Sequence, residues 1–384
     1  MRLEPLSAQI VGSYAKPHWL TRHQRLRARD GSAWRPEPQV LEEAKRDAAR
    51  LAIYEQERAG LDLVTDGEAQ RATYDRDFLA ALSGVDLARS DVIPVPSPGA
   101  SHRRDHRGWE EYVEIGRATP LVIGPVRFAR PVARDEAVFA RSIAAKPLKT
   151  TVIGPLSLSR QVSDHHYGDR DALILDLAAA LNQEMRALQE AGVDLLQIDE
   201  PAWHFELDLA KHIGPRAIER MVEGISTPVI VHVCYGYAIV FKEKSASRDY
   251  PEVLELLAQC PIAGISLEYE QPRHEPSLLR HCGDKHVVLG LLDLGKAEVE
   301  SASHIADRIG QALEVVPPER LHPSSDCGMW HLPRERAYAK IAALAEGTRT
   351  VKERLGLARP TCAARVGSYG FPLERDAIRS HRWR

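Results

Sequence analysis

The chain has 384 residues, 44% hydrophobic and 27% charged, with a formal net charge of −3. These are soluble-globular values, and they supply no bulk basic field for nucleic acid or an anionic membrane surface. No apolar run reaches the roughly 18 residues a bilayer span requires, and the opening MRLEPLSAQIVGSY lacks an apolar signal core.

In chain order, short β-branched runs alternate with longer amphipathic patterns. Strands are expected at Gln9–Tyr14, Leu61–Glu68, Thr150–Pro155, Asp194–Pro201, Val229–Tyr235, Ala263–Tyr269, His286–Asp293 and Arg320–Gly328. Helices are expected between most of them, for example over Val40–Ala59, Asp171–Ala191, Pro251–Gln259, Ser303–Val315 and Pro333–Leu344. The second of these spaces Leu173, Leu177, Leu181, Met185 and Leu188 by three or four and stops before Gly192. Eight strands with helical crossovers predict an α/β fold, a (β/α)8 TIM barrel spanning 1–384 as one domain. A doubly wound open sheet would usually carry a Gly-rich phosphate turn after an early strand, and no convincing one is present. From about 97 to 133 the rhythm breaks. SHRRDHRGWEEYVEIGR followed by TPLVIGPVRFARP reads as a charged loop and a β-hairpin inserted between barrel units. The basic, Pro/Gly-punctuated residues from about 357 to 384 read as a peripheral tail.

In a barrel of this type the C-terminal strand ends face the active site. The first expected strand offers Gly12 and Ser13 there, the second Asp66 and Glu68, and the fourth Asp199 and Glu200. The fifth, within VIVHVCYGYA, offers His232 and Cys234, two apart and so on one face. The sixth offers Glu268, the seventh Asp293, and the eighth Asp326 and Cys327. His232, Cys234, Glu268 and Cys327 form a donor set that suits tetrahedral Zn²⁺ at roughly 2.0–2.3 Å. A His-x-Cys pair on a strand also occurs as plain packing, and these residues follow no compact Cys-x-x-Cys spacing. Cys260 and Cys282 read as helix or loop thiols, and His102, His106, His165 and His166 as loop residues. The odd, scattered set of five cysteines suits reduced thiols in a cytoplasm rather than a disulfide framework.

These residues resemble the catalytic half of cobalamin-independent methionine synthase, in a short single-barrel form. IVGSY (Ile10–Tyr14), LVTDGEAQR (Leu63–Arg71), LLQIDEPAW (Leu195–Trp203), HVCYG (His232–Gly236), SLEYEQPR (Ser266–Arg273) and SSDCGM (Ser324–Met329) match the family's blocks in family order. The resemblance implies a (β/α)8 barrel whose zinc is held by His232, Cys234, Glu268 and Cys327 and binds the thiol of homocysteine. It implies that Gly12 and Ser13 meet the substrate carboxylate, with Glu68 and Asp199 on its ammonium group. Capping a helix or holding a loop is the alternative role for both acids.

The pattern departs from the family in three places. The long form has two barrels, and this length supplies one. Where the family places a histidine two residues after Asp293, this chain has Gly295, with Lys296 next to it as a substitute proton donor. The family's second carboxylate contact falls on Phe205, beside Glu206. Methyltetrahydrofolate needs a placed acid for its leaving nitrogen, whereas a methyl on cobalt does not. The expectation is therefore methylcobalamin or a methylated corrinoid protein as donor, with folate the lesser alternative through Arg117 in GRATPLVIG. Rival readings are alkylation of another thiol such as coenzyme M, and a non-catalytic zinc or small-molecule binding protein.

Overall fold

The computed structural model describes residues 4–22, 33–93, 117–237 and 244–357. Its strands are β1 (Leu82–Ile93), β2 (Arg117–Phe128), β3 (Lys149–Ile153), β4 (Ser163–Asp164), β5 (Leu195–Asp199), β6 (Val229–Val233), β7 (Gly264–Leu267), β8 (His286–Gly290) and β9 (Leu321–Ser324). Six of these pair in parallel, in the order β3-β5-β6-β7-β8-β9. Two further segments close the ring through backbone hydrogen bonds. Leu6 and Gln9 donate to Leu321 and Pro323 of β9, while Asp62 and Leu63 donate to Ala8. Val64 in turn accepts from Lys149 of β3. The eight staves are the eight runs expected from the sequence, and the fold is a (β/α)8 barrel.

The staves are buried on both faces and so show no strict apolar–polar alternation, and those of mainly apolar sequence, such as Val229–Val233, read as continuous runs. Leu63, Leu195, Ile230 and Val288 pack together as a small cluster separate from the main core. Helices such as Pro38–Ala59, Arg170–Glu190, Leu207–Val222 and Ala302–Leu313 alternate with the staves along the chain. Asp169 caps the second of these through Asp171 N, and Ser301 caps the last through His304 N. Among the described residues, no helix is long and apolar enough to cross a membrane.

Two elements differ from their sequence-based expectation. The helix expected to stop at Leu344 runs over Arg334–Arg354. Gly347 weakens its helical pattern, but a Cβ there would meet Ala302 O at 2.7 Å, so the glycine serves close helix packing. The hairpin also differs. TPLVIGPVRF is one strand, not a hairpin, and its antiparallel partner is Leu82–Ile93, upstream of the expected insertion. That partner, LSGVDLARSDVI, is polar and broken in register at Ser83/Val85 and Asp86/Ser90, so it shows no clean period of two. Gly84 sits at the first break with φ 82. The expected charged loop at 94–116 and the tail from 358 lie outside the described residues.

Candidate metal centre

Parallel register puts Asp199, His232 and Ser266 side by side, since β5 pairs Asp199 with His232 and β7 pairs Ser266 with His232. His232 is buried, and its Nδ1 lies 3.0 Å from Ser266 Oγ. Its Nε2 is buried without a hydrogen bond of ordinary geometry among the described residues, which leaves that nitrogen for a ligand. Cys234 follows just beyond β6, and Cys327 arrives from the loop after β9. The Cys327 thiol donates to Cys234 Sγ at 3.8 Å. One donor atom from each of His232, Cys234 and Cys327 lies within 4.8 Å of the others, and all three residues are buried.

This spacing suits a metal. Two thiolates on a tetrahedral zinc, each bonded at ~2.3 Å, stand roughly 3.8 Å apart. The electrostatics point the same way. The hydrogen bond from Cys327 holds Cys234 well below the ordinary thiol range against its burial, with His232 and Lys244 adding to the effect. Burial alone would lower the His232 pKa, but the neighbouring Cys234 sulfur raises it.

Glu268, expected as the fourth ligand, is not part of this cluster. Its Oε1 is paired with Lys244 Nζ at 2.6 Å and its Oε2 accepts from Tyr235 N at 2.8 Å. Burial pushes the carboxyl up to about 7, opposed chiefly by Lys244. The geometry thus gathers three of the four expected donors, with the Glu268 carboxylate nearby and engaged by Lys244 and Tyr235.

The other expected groups line the same end of the barrel. Ser13 Oγ is buried without a partner among the described residues, and Ser13 O accepts from Met329 N, two residues past Cys327. Gly12 packs so close to Glu68 and Thr151 that a Cβ would fall 2.6 Å from each. Glu68 itself, at φ 52, accepts from Thr151 Oγ1 at 3.0 Å. Asp199 accepts from Gln197 Nε2 at 2.7 Å, and Gln197 Oε1 in turn takes Lys149 Nζ at 2.9 Å. Burial pushes Asp199 up to about 7 and raises Glu68, so an arriving cation has two carboxyl groups that gain from a partner. Asp293 is buried and paired with the half-exposed Lys296 at 3.1 Å. Arg117 opens β2 opposite Ile93 in the added hairpin, and its side chain lies outside the described residues. Glu206 pairs with Arg170 and Arg160.

Four residues here were not singled out in the sequence: Ser266, Lys244, Gln197 and Thr151. Two had a readable signal, because Ser266 stands two before Glu268 and Gln197 two before Asp199, each on its neighbour's face.

Residues 6–349 match the family model described as the catalytic domain of cobalamin-independent synthase. The chain belongs to the cobalamin-independent methionine synthase family. It is 30% identical over 357 residues to a methionine synthase of Saccharolobus solfataricus, covering 92% of this chain and 97% of that one. A methionine synthase of Sulfurisphaera tokodaii is 28% identical over 91% and 94% of the two chains. The solved B12-independent methionine synthase from Shewanella sp. W3-18-1, in complex with selenomethionine, superposes with a TM-score of 0.82. It shares 31% identity, over 92% of this chain and all of that one. A putative family member from Listeria monocytogenes, at 21% identity and TM-score 0.68, agrees in fold. Membership makes the chain a homocysteine methyltransferase. It also removes the support for methylcobalamin as donor, because the matching family is cobalamin-independent.

Proposed function

We propose that the chain makes methionine by methylating homocysteine from methyltetrahydrofolate, with the substrate sulfur activated on Zn²⁺ at His232, Cys234 and Cys327. The observation that carries this reading is the buried trio with its 3.8 Å sulfur pair and a histidine nitrogen left over for a ligand. Bound there, zinc would keep the substrate thiol as a thiolate near neutral pH, where a free thiol with pKa ~8.5 is mostly protonated.

The chain's own residues do the rest. Ser266 fixes the His232 ring. Glu68 and Asp199 meet the substrate ammonium group, held in place by Thr151 and Gln197. Ser13 meets the carboxylate through a hydroxyl that has no partner among the described residues, and Gly12 leaves room for Glu68 and Thr151. Lys296, steadied by Asp293, is the proton source for the folate nitrogen as the methyl leaves. Arg117 is left as a contact of the folate donor, on sequence grounds. The acid pair favours an amino-acid thiol over coenzyme M, whose sulfonate carries no ammonium for it to bind. The described cysteines are free thiols, which fits a cytoplasmic setting.

The test is a donor and acceptor screen on zinc-loaded protein. Methionine should form from homocysteine and methyltetrahydrofolate, and slowly or not at all from methylcobalamin or with coenzyme M as acceptor. A clear preference for methylcobalamin would overturn the donor assignment, and a preference for coenzyme M would overturn the acceptor.

A further inference from the structure

Lys149 is fully buried inside the barrel, an uncommon place for a lysine. Its ammonium group donates to Gln9 Oε1 at 2.8 Å, Ile10 O at 2.6 Å and Gln197 Oε1 at 2.9 Å. Three acceptors take all three of its protons, so the group is held as the cation, and none of the three is charged. Burial pulls the ammonium pKa down to about 7, and Asp199 and Glu68 are the charges that oppose that pull. Those are the two acids assigned to the substrate's ammonium group. The strands explain the link. Lys149 and Thr151 share a face of β3, as Leu195, Gln197 and Asp199 share a face of β5. Register sets Thr151 beside Gln197, and Thr151 Oγ1 donates to Glu68 Oε1.

We propose that Lys149 is a positioning residue for the substrate's ammonium group, fixing the Gln197 amide so that its nitrogen, and not its oxygen, is turned to Asp199. The inference rests on the ammonium reading of Asp199 and Glu68 above and extends it. A side-chain amide has one accepting and one donating end. The Lys149 cation claims the Gln197 oxygen, and Gln197 Nε2 then donates to Asp199 Oδ1 at 2.7 Å. With the amide turned over, its N–H groups would face the ammonium and its oxygen the carboxylate, so both contacts would be repulsive. Methionine in place of Lys149 would remove the claim on the oxygen. Gln9 Oε1 and Ile10 O, left buried without their donor, would then compete with Asp199 for the Gln197 nitrogen.

The test compares calorimetric affinities of the zinc-loaded full chain for methionine and for 4-(methylthio)butanoate, the same molecule without its amino group. It is run at about pH 8, above the Asp199 pKa, so that the acid is ionised throughout. Wild type should prefer methionine. Lys149→Met should cut that preference by about tenfold, the scale of one charge-assisted hydrogen bond, while 4-(methylthio)butanoate stays within about twofold of wild type. Gln197→Leu should do the same, and the double variant should be no worse than either alone, because both act through one amide. An unchanged preference in Lys149→Met, equal weakening of both ligands, or losses that multiply in the double variant would each overturn the proposal. Should Lys149→Met fail to fold, the double variant, with apolar residues in place of the buried polar pair, is the second arm, and a wild-type preference there would overturn it as well. Failure of the ammonium reading looks different: wild type itself would bind both ligands alike.

Discussion

Ser266→Ala tests the metal centre through a residue that touches no substrate. Ser266 Oγ lies 3.0 Å from His232 Nδ1, and both side chains are buried. A metal on Nε2 forces the imidazole proton onto Nδ1, so in the loaded protein Ser266 has to accept it. Alanine leaves that N–H buried and unmet, at a cost of ~1–3 kcal/mol. In the metal-free protein the proton can move to the other nitrogen, so less of this cost is felt there. The difference falls on metal affinity, and Zn²⁺ should bind about 10- to 100-fold more weakly. Metal-free stability should fall by only ~1 kcal/mol, the net worth of one hydrogen bond. Chelator competition measures the first quantity, and urea unfolding of the metal-free protein the second. A Zn²⁺ affinity within about twofold of wild type would refute the reasoning, because the ring would then need no partner to present Nε2.

Three further outcomes follow from the same geometry. Cys327→Ser should lose stoichiometric zinc, as measured by metal analysis after dialysis, since one of the sulfurs 3.8 Å apart is removed. Asp199 is pushed up to about 7 by burial, and only its ionised form pairs with an ammonium group. Binding of methionine, which has no titrating thiol, should therefore weaken as pH falls from about 8 to about 6, by up to roughly tenfold per unit below 7, and Asp199→Asn should flatten that profile in calorimetry. Lys296→Met should lower kcat with methyltetrahydrofolate by about 10²-fold while leaving zinc affinity unchanged, and an unaltered steady-state rate would remove Lys296 from proton transfer.

The barrel was legible because most staves are short, mainly apolar runs bounded by turn residues, a pattern that survives without any tertiary knowledge. His232 and Cys234 were legible for a related reason, since a period of two puts them on one face. Cys327 could be placed at a strand end, but nothing local says that it meets Cys234, 93 residues earlier. What the sequence hid is lateral. Ser266 reaches His232 only because β6 and β7 align those two positions, and a shift of one residue would turn Ser266 to the other face. Lys244 was hidden in a stretch with no periodicity, and its burial against Glu268 contradicts the usual expectation for a loop lysine. The hairpin partner at Leu82–Ile93 was missed because exposed, bulged strands need not alternate.

Two acids inside the most recognisable motifs turn out to act on backbone. Asp199 and its neighbour Glu200 point to opposite sides, as successive strand residues must. Asp199 lies beside the site, while Glu200 accepts from Leu156 N, Ser157 N and Ser157 Oγ, fixing the turn at the start of helix Pro155–Ser159. A Cβ on Gly154 would occupy the space of that carboxyl group. Asp326 behaves likewise one residue before Cys327. It accepts from Tyr269 N, Glu270 N and Gln271 N at 3.2, 3.0 and 2.6 Å, and Gly290 leaves room for it. Each acid therefore joins the end of one stave to the loop after another, β5 to β3 and β9 to β7. The donors for a metal are held by these cross-links and by strand register, and the cost of bringing His232, Cys234 and Cys327 together is met by the barrel. A metal bound here adds affinity for a sulfur ligand to a frame that is already assembled, unlike a zinc finger, where the ion supplies the fold itself.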